Sequence, residues 1–367
     1  MIPLVRNLAI SIVVAVSGSL CAADETTPTS KPVQLFVTVE ENVKLEAVDW
    51  GGSGRPLVLL AGLGNDIHIF DKFAPKLTPR YHVYGITRRG FGASSAPESG
   101  YSSERLGEDV IAVLNELQIE RPILVGHSIA GSELSYIGTV YPKKAAALIY
   151  IEAAFGYAFY DESTGDRMNL LVDSAELQKK LEQMPAAFAL NSKQITQDIL
   201  ASVQQLEKCL RDQQEYLKEV PEKPKSFIEK SKEFDPTPAL RILGGLRKYK
   251  DIRVPILALY ASPRSAQEVS LSGFSKATAE YIAARQAAQA NAFEKGVPSA
   301  HVVRVAQATH FMFMTNESDV IREMEQFIGK LSSPNDNKPS NAEEPTPVSA
   351  TPSADAPVAP ATSAAQL

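Results

Sequence analysis

Ile123-Leu124-Val125-Gly126-His127-Ser128-Ile129-Ala130-Gly131 decides the reading of this chain. Three apolar β-formers run into a small residue, a serine and further small residues, and a helix-like pattern follows. Such a run holds a hydroxyl out on a tight strand-to-helix turn. The turn strains the backbone at the serine, so its neighbours two before and two or three after must be small. Gly126, Ala130 and Gly131 meet that need. The helix beyond would aim its free N–H groups and the positive end of its dipole at the space above Ser128. Ala130 stands where the strict pentad G-x-S-x-G has its second glycine, a departure of one methyl group.

Outward from this turn, strand and helix patterns alternate. Val33 to Val48 reads as an antiparallel hairpin across Glu40-Glu41-Asn42. Pro56 to Ala61 is a fully apolar run, as a strand covered on both faces requires. A helix is expected near Phe70 to Leu77, a strand over Tyr81 to Thr87, and a helix from Ser103 with Leu106, Val110, Val113, Leu114 and Leu117 on one stripe. The helix after Ser128 would bury Leu134, Ile137 and Val140. Ala146 to Ile151 is another buried strand, closed by Glu152. This alternation predicts an α/β chain with a mostly parallel central sheet flanked by helices.

The rhythm breaks from Ala153 to Lys250, where charged amphipathic helices are expected and Ile195, Ile199, Val203, Leu206 and Leu210 share one face. It resumes with a strand at Val254 to Ala261, an Ala-rich helix from about Ala277 to Lys295, a strand at His301 to Ala306, a loop holding His310, and a closing helix carrying Val320, Met324, Phe327, Ile328 and Leu331. The domain expectation is a core over 31–153 and 251–331, interrupted by a helical cap over 154–250.

Both ends read as lying outside this core. Arg6 precedes an uncharged run from Leu8 to Leu20, the length of a signal-peptide apolar region, with cleavage after Ala23 (signal peptide 1–23). Cys21 invites a lipid-anchored reading, but Leu20 is large for the residue before such a site. The expectation is export from a bacterium, periplasmic or secreted, with no stable membrane span after cleavage. Residues 332–367 are rich in Pro, Ala, Ser and Thr, and read as a disordered tail. With Cys21 removed, Cys209 has no partner for an intrachain disulfide.

The chain is 44% hydrophobic and 22% charged, with a net charge of −6. That balance gives no electrostatic reason to expect a nucleic-acid partner. No Cys/His cluster suggests a metal. Gly62-Leu63-Gly64 lacks the lysine and third glycine of a phosphate cradle, so no cofactor is expected.

Four motifs in this order resemble those of the α/β-hydrolase fold superfamily with a helical cap and a serine nucleophile: Leu59-Leu60-Ala61-Gly62-Leu63-Gly64, Thr87-Arg88-Arg89-Gly90-Phe91-Gly92-Ala93-Ser94, Gly126-His127-Ser128-Ile129-Ala130-Gly131, and Ala308-Thr309-His310-Phe311. The resemblance covers about Val33 to Leu331, and its nearest relatives look like exported bacterial members. It implies an α/β-hydrolase fold with an inserted cap, and a small-molecule substrate that it does not name.

A serine hydroxyl needs a base within reach. Of five histidines, His310 is the candidate, in a loop after the last strand. His127 adjoins Ser128 with its ring expected to point away; His68 reads as a helix-start residue, His82 and His301 as surface residues. The resemblance places the acid after the strand at Val254 to Ala261, where this chain has Ser262-Pro263-Arg264 instead. Some relatives carry it one strand earlier, which points to Glu152, with Asp161 or an acid-free dyad as alternatives. Glu133 and Asp109 are expected to make structural hydrogen bonds on their helices, and Arg88-Arg89 to be solvated or salt-bridged rather than an anion site. The oxyanion hole would be the N–H groups of Leu63 and Ile129.

The expected activity is a serine hydrolase, most simply a carboxylic ester hydrolase. Peptide-bond or C–C bond hydrolysis is the alternative within enzymes. A ligand-binding homologue without turnover is the alternative outside them, and the missing carboxylate after Ala261 favours it.

Overall fold

The computed structural model describes residues 31–159, 181–190, 192–219, 237–247, 249–267 and 276–331. The expected signal peptide, the expected disordered tail, Lys223 to Lys232 and Asp161 lie outside them. The chain separates into two units, Met1–Ile328 and Gly329–Leu367, and the sheet lies wholly in the first.

Eight strands form one sheet: β1 (Val33–Glu40), β2 (Val43–Gly51), β3 (Arg55–Leu60), β4 (Tyr81–Ile86), β5 (Ile123–His127), β6 (Ala147–Ile151), β7 (Ile256–Ala261) and β8 (Ala300–Val305). Their spatial order is β1-β2-β4-β3-β5-β6-β7-β8. β1 and β2 form the expected hairpin, and β2 joins β4 antiparallel. Every pairing from β4 through β3, β5, β6, β7 and β8 is parallel. This is the α/β-hydrolase fold, with helices flanking a mostly parallel sheet.

Hydrophobic pattern explains which strands are central. Every residue of β5, β6 and β7 is buried, whereas the edge strands β1 and β8 keep exposed positions. Leu57, Val58 and Leu59 of β3 are wholly buried. Each such side chain contributes roughly 1.5–3 kcal/mol by leaving water.

The helices are α1 (Ala74–Leu77), α2 (Ser103–Glu116), α3 (Gly131–Val140), α4 (Met184–Ala189), α5 (Lys193–Glu219), α6 (Thr237–Gly244), α7 (Lys276–Gly296), α8 (Met312–Thr315) and α9 (Glu317–Ile328). The α2 boundary follows from Ser102, whose side chain accepts from the Arg105 N–H at 3.3 Å and caps the helix. Three expectations need correction. The helix expected from Phe70 to Leu77 is a 3₁₀ turn over Ile67–Phe70, capped by Asp66, then the separate one-turn α1 with a proline at its start. Val140, the last residue of α3, is 46% exposed. Along α5, Ile199 is buried but Val203 is 40% exposed, so the apolar stripe is not covered along its length.

Of the two expectations for the arginine pair the salt-bridged one holds, and both side chains are buried. Arg88 grips Glu133 of α3 with Nε to Oε1 at 2.5 Å and Nη2 to Oε2 at 2.7 Å, and also donates to the Ala61 carbonyl at 2.9 Å. Arg89, 1% exposed, grips Asp109 of α2 with Nε to Oδ2 at 2.6 Å and Nη2 to Oδ1 at 2.8 Å. Glu133 and Asp109 therefore tie helices to the loop after β4, and Asp109 also accepts from Arg105 of its own helix at 2.7 Å, as expected. Planar bidentate pairing satisfies the carboxylates where water cannot, and among the described residues Arg88 Nη1 has no hydrogen-bond partner.

Candidate active site

The parallel register brings Ser128 and Glu152 together. His127, the last residue of β5, pairs with Ile151, the last of β6. Ser128 and Glu152 are thus the next residue on each of two adjacent strands, at their carboxyl ends. Both have left-handed backbone, φ 53° at Ser128 and φ 48° at Glu152. Such conformations cost on the order of 1–3 kcal/mol each at a non-glycine residue and need surrounding structure to hold them. Both side chains are buried.

The turn at Ser128 is a 3₁₀ segment, Ser128–Ala130, leading into α3. Its tightest neighbour is Gly131, where a Cβ would stand 1.9 Å from the Ala153 carbonyl oxygen. That oxygen belongs to the backbone just after Glu152 and cannot move aside cheaply. Position 131, rather than 130, is where the turn demands glycine, which explains how Ala130 is tolerated.

His310 lies five residues beyond β8. Its Nδ1 stands 3.3 Å from Glu152 Oε2. The carboxylate is held from two further sides: Oε1 accepts the Ala261 N–H at 2.7 Å, and Oε2 accepts from Arg264 Nη2. Glu152 thus stands beside His310, and the arginine found after β7 turns back onto the same carboxylate.

His127 does not simply point away. Its ring packs against His310, centroids 4.7 Å apart, and its Nε2 donates to the His310 carbonyl at 2.9 Å. Phe311 and Phe313 enclose it, each with centroids 5.0 Å away. Full burial, together with repulsion from His310, holds the His127 imidazole well below the usual histidine range, so the ring is neutral. Its Nδ1 has no hydrogen-bond partner among the described residues and faces Gly62, where a Cβ would stand 2.7 Å away. That contact fixes the loop after β3 against the turn.

Leu63 and Ile129 are both buried, in one apolar cluster with Phe91, Tyr101, Ile242 and Leu246. His68 is a helix-start residue bonded to Asp71 and Glu46, at 3.1 and 3.2 Å, and His82 pairs with Asp49 at 2.9 Å. His301 is exposed at the start of β8. None of these three belongs to the site.

One residue escaped sequence reasoning. The Tyr157 hydroxyl, in the segment following Glu152, hydrogen-bonds Ser128, and burial raises the phenol far above its ordinary value. No periodicity or motif marks Tyr157; only its nearness to Glu152 along the chain could have drawn notice. Among the described residues no group of His, Cys, Asp and Glu could hold a metal ion, and no helix is long and apolar enough to cross a membrane.

Residues 57–323 match the model of the "Alpha/beta hydrolase family". An AB hydrolase superfamily protein of Bacillus subtilis is 35% identical over 98 residues, covering 26% of this chain and 36% of its own length. A 3-oxoadipate enol-lactonase of Acinetobacter baylyi is 29% identical over 115 residues, covering 31% of this chain and 43% of its own length. The chain thus matches well under half the length of these curated relatives. The bromoperoxidase structure from Bacillus anthracis aligns over 81% of this chain and 100% of its own, with a TM-score of 0.51 and 17% identity, a likeness of fold.

Proposed function

The chain belongs to the alpha/beta hydrolase family, and from that premise we propose that it is a serine hydrolase, acting as a carboxylic ester hydrolase through an acyl-enzyme on a small or medium substrate. The observation that carries this reading is a strained, buried Ser128 set next to Glu152 at adjacent strand ends, with the Glu152 carboxylate facing Nδ1 of His310.

In the proposed reaction, Ser128 Oγ attacks the ester carbonyl and His310 Nε2 takes its proton. Glu152 accepts from His310 Nδ1–H, fixing the tautomer that leaves Nε2 basic and stabilising the imidazolium as it forms. The Leu63 and Ile129 N–H groups receive the developing oxyanion; losing one such donor typically costs roughly 10²–10³ in rate. Collapse expels the alcohol, which takes the proton from His310. Water, deprotonated by His310, then attacks the acyl group and restores Ser128.

A hydroxyl nucleophile sets this reading apart from haloalkane and epoxide chemistry, which needs a carboxylate there. The apolar cluster around Leu63 and Ile129, to which α6 contributes Ala239 and Ile242, favours an apolar acyl group over a charged one. We read the helices between β6 and β7 as the cap that shapes this pocket, and the chain as exported. Turnover of p-nitrophenyl acetate and butyrate, compared with Ser128→Ala, tests the reading, with fluorophosphonate labelling of Ser128 alongside. Ester turnover or labelling unchanged in Ser128→Ala would overturn it.

A further inference from the structure

Arg264 occupies the place after β7 where the resemblance led us to expect an acid. It is built in, not draped over the surface. The Arg264 backbone bridges to Ala308, the Ser265 N–H donates to the Ala308 carbonyl at 2.9 Å, and the Gln307 N–H donates to the Pro263 carbonyl at 2.8 Å. This ties the residue to the chain leading into His310. Its guanidinium Nε donates to Gln286 Oε1 on α7 at 2.8 Å, while Nη2 donates to Glu152 Oε2. That is the same oxygen that faces His310 Nδ1. The Arg264 and Glu152 side chains are 15% and 1% exposed.

Glu152 did not need this partner for hydrogen bonding alone, since the Ala261 N–H and the imidazole already reach its two oxygens. What Arg264 adds is a permanent positive charge. A carboxylate behind a catalytic imidazole favours its protonated form; a guanidinium on the same oxygen offsets that influence. We propose that Arg264 is a positioning residue that locks the Glu152 carboxylate toward His310 and, by offsetting its charge, keeps His310 unprotonated, and so able to act as a base, in more acidic surroundings. The inference rests on the hydrolase reading of the site. Among the described residues, the titratable and charged groups placed against His310 include Glu152 at the end of β6 and His127 at the end of β5, with Arg264 acting through Glu152. Tyr157 and Tyr260 adjoin the same carboxylate as neutral hydroxyls.

The test compares the full chain with Arg264→Gln, Arg264→Lys and Arg264→Met. Two readouts are taken: the pH profile of kcat/KM on p-nitrophenyl butyrate, and the pH titration of the His310 imidazole by NMR of histidine-labelled protein without substrate. In Arg264→Gln the acidic limb and the titration midpoint are expected to move up by about one pH unit. Arg264→Lys, keeping the charge, is expected to restore most of the wild-type profile. Arg264→Met, which keeps the aliphatic stem, takes the place of Arg264→Gln if that variant does not fold. A rate lowered equally at every pH with an unmoved midpoint would overturn the proposal, as would a Lys variant no different from Gln. Absence of Ser128-dependent turnover in the unaltered protein would sink the hydrolase reading instead, and the NMR midpoints would still decide whether Arg264 offsets Glu152.

Discussion

The Nε2 of His127 donates to the main-chain carbonyl of His310 at 2.9 Å, across 183 residues of chain. The residue before the candidate nucleophile thereby holds the loop that carries the candidate base. A fully buried neutral ring does this, and its neutrality has a cost at low pH.

That cost is measurable. His127 in the folded chain resists protonation, while in the unfolded chain it takes up a proton near its ordinary value of about 6.5. Below that pH the unfolded state binds the extra proton, so stability is present above about 6.5 and falls as pH drops. His127→Gln, which keeps an N–H donor at similar reach, should show a shallower decline of Tm between pH 7 and 5. Parallel Tm curves for the two proteins would show that His127 is not the group responsible.

Gly131 should be the least replaceable residue of the turn. Gly131→Ala drives a methyl group into the Ala153 carbonyl and should cost at least about 2–3 kcal/mol, since the clash is with backbone. Ala130→Gly should cost no more than about 1 kcal/mol, the usual penalty of glycine's added freedom. Urea unfolding of both variants checks the order; equal midpoints would contradict it.

The paired arginines should matter unequally with depth. Asp109→Asn leaves the buried Arg89 guanidinium with only the half-exposed Glu40 carboxylate as a charged partner, and a loss of about 2–4 kcal/mol is expected. Breaking the exposed pair of Arg322 with Asp319 on α9 should leave stability nearly unchanged, since water screens both charges. Thermal unfolding of Asp109→Asn and Asp319→Asn makes the comparison.

Removing the carboxylate behind His310 should strike turnover, not binding. Glu152→Gln keeps the shape but no longer holds the imidazole tautomer, and kcat should fall roughly 10²- to 10⁴-fold with KM nearly unchanged. Stopped-assay kinetics on a short-chain p-nitrophenyl ester read this. A variant with full kcat would remove Glu152 from the proposed chemistry.

Local pattern in the sequence determined the strand–helix alternation, because burial on both faces demands unbroken apolar runs such as Leu57 to Leu60, and it marked Ser128 because a strained turn demands small neighbours. Position in the chain also singled out His310 and Glu152, one in a loop after the last strand and one closing an apolar strand. Only the tertiary structure decided what these residues face. Parallel register, a product of packing between strands distant in sequence, set Ser128 beside Glu152; the β7–β8 neighbourhood turned Arg264 onto that same carboxylate; and folding drew Tyr157 to Ser128 and His127 to the His310 carbonyl. None of those contacts has a local signal, because a hydrogen bond between remote residues leaves no periodicity in the chain. They exist through shared burial, where each polar group must find its partner among whatever the fold brings near.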